Sequence, residues 1–286
     1  MGVIVLTGCS TGIGLEAALA FARRGDTTVA TLRNVAKADT LLERAASEGF
    51  TVHVEALDVD DDDSVERTIG TVVERFGTID VLVNNAGIAN SGPVEAQSLD
   101  NARRVIETNF WGPIRTIRAV LPTMRRQRSG VIVNVSSLAS LLPATMYNAM
   151  YAASKRGLNA VSEALAGEVA PFDIRVVSIE PGFFKTGITD NNISESEPAS
   201  EVYAADQVWM RSFFEQGGSA GHAHPSAVAD AIVAAAIDPE TRLHVPVGDD
   251  ATMYLGLFDQ VGGYEGWMDA VMPIVESTVG PRPTNR

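Results

Sequence analysis

An α/β fold built on a doubly wound parallel sheet is predicted by three observations. Short Val- and Ile-rich runs alternate with longer amphipathic ones along the chain. Several of the short runs are apolar throughout, the pattern of strands buried on both faces, and such alternation is satisfied by a parallel sheet with helices on both sides. The chain has 286 residues, 45% hydrophobic and 20% charged, enough for one sizeable core and too apolar for disorder. No repeat or linker interrupts the alternation, so a single domain over 1–286 with about seven strands is expected.

Taken in order, the strands are Val3–Leu6, Thr28–Leu32, Thr51–Leu57, Asp80–Val83, Val131–Val135, Arg175–Ile179 and His244–Val247. The helical patterns between them cover roughly Gly14–Arg24, Val35–Glu48, Asp62–Phe76, Asn101–Arg126, Met150–Ala170 and Ser226–Ala236. The regularity breaks over 187–225. "TDNNISESEPAS" is polar and turn-prone, then Val202, Ala205, Trp209 and Phe213 recur at helical spacing, and "GGSAGHAHP" is loose again. An insertion of this length after a late strand is expected to be a substrate lid; the alternative is a surface helix burying one stripe on the core.

The net charge of −14 argues against a basic surface for nucleic acid or anionic membrane, so an anionic ligand must be held by local dipoles and single cations. Cys9 is the lone cysteine, which excludes an intrachain disulfide. The start of the sequence shows no leader pattern and no apolar run reaches membrane-spanning length, so a cytoplasmic protein without membrane insertion is expected. No Cys or acidic set gives His53, His222, His224 or His244 a metal spacing, and no metal is expected; one of His222 and His224 could touch a substrate. The run Asp60–Asp63 reads as a solvated helix N-terminus.

"TGCSTGIG", Thr7–Gly14, joins the first strand to the first helix. Gly8, Gly12 and Gly14 allow a tight turn and let a pyrophosphate approach backbone N–H groups at a helix N-terminus. At the end of the second strand, where an acid would bind the ribose hydroxyls of NAD, the chain has Leu32 and Arg33. A guanidinium can fork onto a 2′-phosphate, Thr11 could add a hydroxyl, and NADP(H) is favoured. Cys9 within the turn reads as a small packing residue, since no base adjoins it.

These motifs resemble the short-chain dehydrogenases/reductases, in the shorter branch carrying the TGxxxGIG turn. Motifs cover about residues 2–186, and the pattern is most similar to estradiol-type hydroxysteroid and retinol dehydrogenases. The resemblance implies a single-domain Rossmann fold and a cofactor site. Beyond the glycines it includes Ser10, Thr11 and Ile13 in the turn, Arg33 and Asn34 after the second strand, and Asp58 and Val59 at the adenine. Asn85, Ala86 and Gly87 of "NNAG", and Pro181, Gly182, Phe184 and Thr186 of "PGFFKT", complete it on the nicotinamide side. It also implies a catalytic set of Asn109, Ser137, Tyr151 and Lys155, with Tyr151 and Lys155 shared by the cofactor. A homodimer or homotetramer is expected. In one departure, the spacing from Ser137 to Tyr151 is one residue longer than the commonest form, which leaves Ser136 open as the inward serine.

Hydride transfer to a carbonyl needs a proton delivered to oxygen, and a tyrosine near pKa ~10 needs a neighbouring cation to act near neutrality. Two tyrosines compete. Tyr151 and Lys155 stand four apart, one helical turn on one face, whereas Tyr147 is eight from Lys155 and precedes the helix. Tyr151 is therefore the expected acid/base, Ser137 the hydrogen-bond donor to substrate oxygen, and Lys155 also the holder of the nicotinamide ribose. By resemblance, Asn109 positions a water in a relay from Lys155. Met146, Tyr147, Phe183, Trp209 and Phe213 are expected to line an apolar pocket with Ser137 and Tyr151, which favours a bulky ketone or secondary alcohol. The competing readings are a catalytically silent NADP-binding sensor or scaffold, and a nucleotide-sugar epimerase or dehydratase.

Overall fold

The structure, a computed structural model, describes residues 1–186, 188, 201–218 and 220–283. The lid expected over 187–225 therefore lies partly outside the described residues.

Seven strands form one sheet: β1 (Val3–Thr7), β2 (Thr27–Leu32), β3 (His53–Ala56), β4 (Val81–Asn84), β5 (Gly130–Val135), β6 (Ile174–Pro181) and β7 (His244–Val247). The order is β3-β2-β1-β4-β5-β6-β7, and every pairing is parallel. Because successive side chains point to opposite faces, each apolar strand feeds two cores. Ile4 and Leu6 face one cluster with α1 (Gly12–Arg23), α2 (Asp39–Ser47) and α8 (Ser226–Ile237); Val3 and Val5 face the other with α3 (Asp62–Phe76), α5 (Gly112–Gln127) and α6 (Ala149–Val169). This is the doubly wound arrangement, a Rossmann-like fold. Its direction reverses at β1, which pairs with both β2 and β4, and such a switch point opens a crevice beyond the C-terminal strand ends.

Several elements differ from the sequence pattern. The stretch read as one helix over Val35–Glu48 begins as a 3₁₀ turn, Val35–Lys37, capped by Asn34 Oδ1 accepting from the Ala36 N–H at 3.0 Å, and α2 starts afresh at Asp39. The stretch read as Asn101–Arg126 is α4 (Leu99–Ile106) and α5 separated by a π-helical turn, Glu107–Trp111. Two helices had no counterpart in the reading, α9 (Asp249–Val261) and α10 (Gly263–Val279).

These last two helices build a third apolar cluster with α7 (Glu201–Glu215), in which Trp209, Met210 and Phe213 meet Tyr254, Trp267 and Val271. Of the stripe expected on α7, Trp209 and Phe213 point inward and the first two residues do not. Val202 is 64% exposed and Ala205 exposed, while Asp206 is 2% exposed. Asp206 is held there by charge: Arg282 donates to both Asp206 carboxylate oxygens at 2.8 and 2.5 Å, and Tyr147 Oη donates to Oδ2 at 2.8 Å. Among the described residues no helix is long and apolar enough to cross a membrane.

Candidate active site

Every candidate segment leaves the C-terminal edge of the sheet. Gly8–Gly14 follows β1, Arg33–Asn34 β2, Asp58–Val59 β3, Asn85–Gly87 β4, Ser136–Ser137 β5, and Pro181–Thr186 spans the end of β6 and the turn beyond.

The glycine turn is shaped by what a side chain would meet. Gly8 has φ +73°, and a Cβ there would lie 2.8 Å from Ala86 Cα; at Gly14 it would lie 2.4 Å from both Gly8 O and Asn85 Nδ2. The turn is thus pressed against the end of β4 and held to β2 by bonds from the Gly8 and Cys9 N–H groups to Thr31 O at 3.0 and 3.1 Å. Thr11 is the N-cap of α1 and is exposed, Ser10 half-buried beside it. The first-turn N–H groups of α1, from Gly12 to Gly14, have no partners within the helix. They present a cradle for a phosphate. A Cβ on Gly12 would lie 3.2 Å from Thr186 Cβ, which brings the turn after β6 against the cradle, and half-buried Ile13 packs on the core beside it. Cys9 is fully buried, and burial pushes its thiol up to about 12, which fits a packing role.

On the adenine side Leu32 is buried and Arg33 is exposed, without a hydrogen bond or ion pair among the described residues. Asp58 Oδ1 accepts from the Asp60 N–H at 3.1 Å, and Val59 packs on Gly112, where a Cβ would lie 2.9 Å from Val59 Cγ2. The acidic run is a solvated helix N-terminus at Asp61–Asp63, all exposed, while Asp60 is half-buried. Asp61 caps α3 by accepting from the Ser64 N–H, Asp62 pairs with Arg115, and half-buried Asp60 accepts from Thr108 Oγ1 at 2.9 Å.

The β4 signature is a buried polar lattice. Asn84 bonds Asn134 at 2.9 Å and Thr116 at 2.6 Å, and Asn134 continues to Ser162 at 2.8 Å. Asn85 Nδ2 donates to the Thr7 and Gly8 carbonyls at 2.9 and 3.1 Å, and the Ala86 N–H reaches Thr7 Oγ1 at 3.0 Å. Beyond Gly87, Asn109 in the π turn clamps the chain: Oδ1 accepts from the Ile88 N–H at 2.9 Å, and Nδ2 donates to Ile88 O at 2.8 Å and Ser154 Oγ at 3.1 Å. A π turn re-aims side chains within a helix, and this one delivers Asn109 to the crevice.

Tyr151 and Lys155 share one face of α6. Lys155 is 4% exposed and donates to Val135 O at 2.8 Å, with Nζ 5.9 Å from the centre of the Tyr151 ring. Burial pulls Lys155 down to about 8. Burial raises the Tyr151 phenol, and hydrogen bonding from Ser137 opposes that rise. The two serines separate clearly. Ser136 is buried with its hydroxyl on Lys155 O at 3.3 Å, whereas half-buried Ser137 accepts from the Ala139 N–H at 3.2 Å and lies within reach of Tyr151.

Tyr147 is engaged elsewhere. Its bond to Asp206, after burial itself, pushes its phenol up to about 12. Its backbone is left-handed, φ +64°, a strained conformation for an aromatic residue, and its carbonyl accepts from the Gly92 N–H at 2.9 Å. Met146, Tyr147 and Phe183 are half-buried at the edge of the third cluster, whose core includes Trp209 and Phe213; Trp209 Nε1 donates to Gly280 O at 2.8 Å. After β6, Gly182 has no room for a side chain, since a Cβ would lie 2.1 Å from Asp250 Oδ2, and buried Phe184 pairs with Ala223 in a parallel bridge. That bridge carries His222 alongside, its ring 6.4 Å from Phe183. Asn90 was missed by the reading; it is 2% exposed with neither side-chain polar atom partnered, two residues beyond the Asn109 clamp. No group of metal-ligating residues occurs among the described residues.

A glycine cradle at a switch point, with a tyrosine, lysine and serine at the adjoining strand ends, defines a dinucleotide-binding α/β protein. The family model described as short chain dehydrogenase matches residues 2–197. This chain belongs to that family of oxidoreductases. Retinol dehydrogenase 8 of Bos taurus is 43% identical over 184 residues, 63% of this chain and 58% of that protein, so the match spans less than two thirds of that relative. An uncharacterized oxidoreductase of Bacillus subtilis, YusZ, is 35% identical over 273 residues, covering 93% of this chain and 95% of its own. Among solved structures, a short-chain dehydrogenase from Streptomyces avermitilis superposes with a TM-score of 0.78 at 32% identity, covering 97% of this chain and 98% of that one. A metagenomic short-chain oxidoreductase in complex with NADP gives a TM-score of 0.68 at 27% identity, over 86% and 96% of the two chains.

Proposed function

We propose that this chain is an NADP(H)-dependent oxidoreductase that interconverts a bulky, apolar carbonyl compound and its secondary alcohol, with Tyr151 as the acid/base. The observation that carries the reading is the meeting of Ser137, Tyr151 and Lys155 beside a glycine turn too tight for any side chain. The residues fit the cofactor: Gly8, Gly12 and Gly14 with the first-turn N–H groups for the pyrophosphate, and unpaired Arg33 for the 2′-phosphate. The NADP complex of the metagenomic relative supports the same choice. When bound, NADP(H) supplies or accepts the hydride.

In reduction, the Tyr151 phenol gives its proton to the carbonyl oxygen, and Ser137 donates a hydrogen bond to that oxygen as charge develops. Lys155 favours the phenolate left behind; lowering a tyrosine by ~3 pH units corresponds to roughly 4 kcal/mol, attainable only in a desolvated cleft such as this. The Asn109 carboxamide already bonds Ile88 and Ser154, which fixes Asn109 beside the crevice; Oδ1 keeps one lone pair with which it could hold a relay water. The apolar edge formed by Met146, Tyr147 and Phe183, with Trp209 and Phe213 behind it, receives the substrate's body.

The test is NADPH oxidation against a panel of ketones and aldehydes. Tyr151→Phe is expected to lose ~10²–10⁴-fold in kcat with NADPH binding retained, and Tyr147→Phe only a few-fold. Arg33→Ala is expected to lower the NADPH-over-NADH preference by about one to two decades in kcat/KM. NADPH binding without turnover of any panel member would overturn the enzyme reading in favour of a sensor, and an unchanged cofactor ratio would overturn the role of Arg33.

A further inference from the structure

One buried acid adjoins the site and takes no part in the chemistry above. Glu180, near the end of β6, is 0% exposed. Its carboxylate accepts from His244 Nδ1 at 2.7 Å, from the Val245 N–H at 2.8 Å and from Asn159 Nδ2 at 3.2 Å. Burial raises its pKa, and the bond from His244 is the largest opposing influence. Two of these donors belong to β7 and serve the sheet. The third does something else.

Asn159 lies one turn beyond Lys155 on the same face of α6, as Lys155 lies one turn beyond Tyr151. Its Oδ1 accepts from Ser178 Oγ at 2.8 Å, and its Nδ2 faces both Glu180 and Ser140 Oγ, the latter at 2.8 Å. A carboxylate accepts and cannot donate, so Glu180 fixes which way the amide points, and that directs a second N–H at Ser140. The Ser140 hydroxyl, accepting from Asn159, has one hydrogen left, and it goes to Ser137 O at 2.6 Å. The Ser140 N–H reaches the same carbonyl at 2.9 Å. Donation therefore diverges from Asn159, to Glu180 on one side and through Ser140 to the backbone of Ser137 on the other.

We propose that Glu180 is a positioning residue for Ser137, acting through Asn159 and Ser140; this rests on the reading of Ser137 as the group that bonds substrate oxygen. Ser140 is the place to cut, because Ser140→Ala removes the side-chain link from Asn159 to Ser137 while leaving the Ser140 N–H on the same carbonyl, the three bonds of Glu180 named above and the pairing of β6 with β7. The readouts are kcat on a ketone, NADPH affinity, and the alkaline titration of the Tyr151 phenol in the free protein, followed as phenolate absorbance in difference against Tyr151→Phe. A misplaced Ser137 costs about 10- to 100-fold in kcat. It also weakens the influence of Ser137 that opposes the rise of the buried Tyr151 phenol, so the titration moves to higher pH. NADPH affinity is expected to stay within about twofold, and Ser140→Thr, which keeps the hydroxyl, restores both kcat and titration. Glu180→Gln is expected to act in the same direction, with the double variant no slower than Glu180→Gln alone.

Wild-type kcat and an unmoved Tyr151 titration in Ser140→Ala would overturn the proposal, as would additive losses in the double variant. If Glu180→Gln does not fold, Ser140→Ala with its threonine rescue still decides. If Tyr151→Phe turns over like wild type, the functional reading fails, while the titration of Tyr151 in Ser140→Ala still decides the positioning.

Discussion

Replacing Lys155 by methionine isolates what the buried ammonium costs the fold. Methionine keeps the length and apolar character of the stem and removes the charge. Burial holds Lys155 at about 8 against an ordinary 10.5. At ~1.4 kcal/mol per pH unit that difference amounts to roughly 3 kcal/mol of destabilisation carried by the native state below about pH 8. The sign follows from proton binding: between about pH 8 and 10.5 the unfolded chain holds the lysine proton more firmly than the native one, so wild-type stability from this residue rises with pH. Against the gain, the variant loses the 2.8 Å bond to Val135 O, worth ~1–3 kcal/mol when a buried acceptor is left without a donor. Lys155→Met should therefore match or exceed wild type at pH 7 by up to about 2 kcal/mol and fall below it near pH 10. Urea unfolding of both proteins across that range measures the gap, and other titrating groups cancel in the difference. A gap that stays constant from pH 7 to 10 would refute the burial argument. A gain at pH 7 together with lost turnover would mark Lys155 as a residue kept for chemistry at the expense of stability.

Two further substitutions test the cradle and the C-terminal tie. In Gly14→Ala, helix propensity favours the alanine by about 1 kcal/mol, but its methyl would lie 2.4 Å from Gly8 O and Asn85 Nδ2. Overpacking of ~1–3 kcal/mol should win, lowering Tm and weakening NADPH binding at least ~10-fold; a raised Tm in calorimetry would count against the close approach. Arg282→Ala leaves Asp206 buried with Tyr147 as its remaining hydrogen-bond partner, and because Arg282 is half-exposed the cost should be ~1–3 kcal/mol at pH 7, toward the low end for a broken pair. Arg282 holds the Asp206 carboxyl below its ordinary value, so this contribution is present above about pH 4 and lost as pH falls below it. Urea unfolding at pH 7 and pH 3 should show the difference between variant and wild type shrinking, and an unchanged difference would break the assignment.

What the sequence discloses and what it hides divide by range of interaction. β1, β4, β5 and β6 are legible because strands buried on both faces are apolar at most positions, and the glycine turn because its constraint lies within eight residues. Tyr151 outranks Tyr147 on helical spacing alone, and the geometry adds an independent reason, the commitment of Tyr147 to Asp206 across 59 residues. Contacts of that span leave no local signal. On the inward face of α7, beside Trp209 and Phe213, Asp206 is held by Arg282, 76 residues away, while Val202 and Ala205 stay exposed. Asn109 sits in a π turn inside a continuous helical pattern, because one extra residue in a helix changes direction without changing composition. The acidic first turn of α9, Asp249–Asp250, was a start signal that could have been used. Glu180 is the hardest case, for an acid between an isoleucine and a proline reads as a strand end facing water. Only when β7 supplies His244 and α6 supplies Asn159 does the same carboxylate become a fixed acceptor beside the reaction centre, and its function then depends on three elements that no window of the sequence contains.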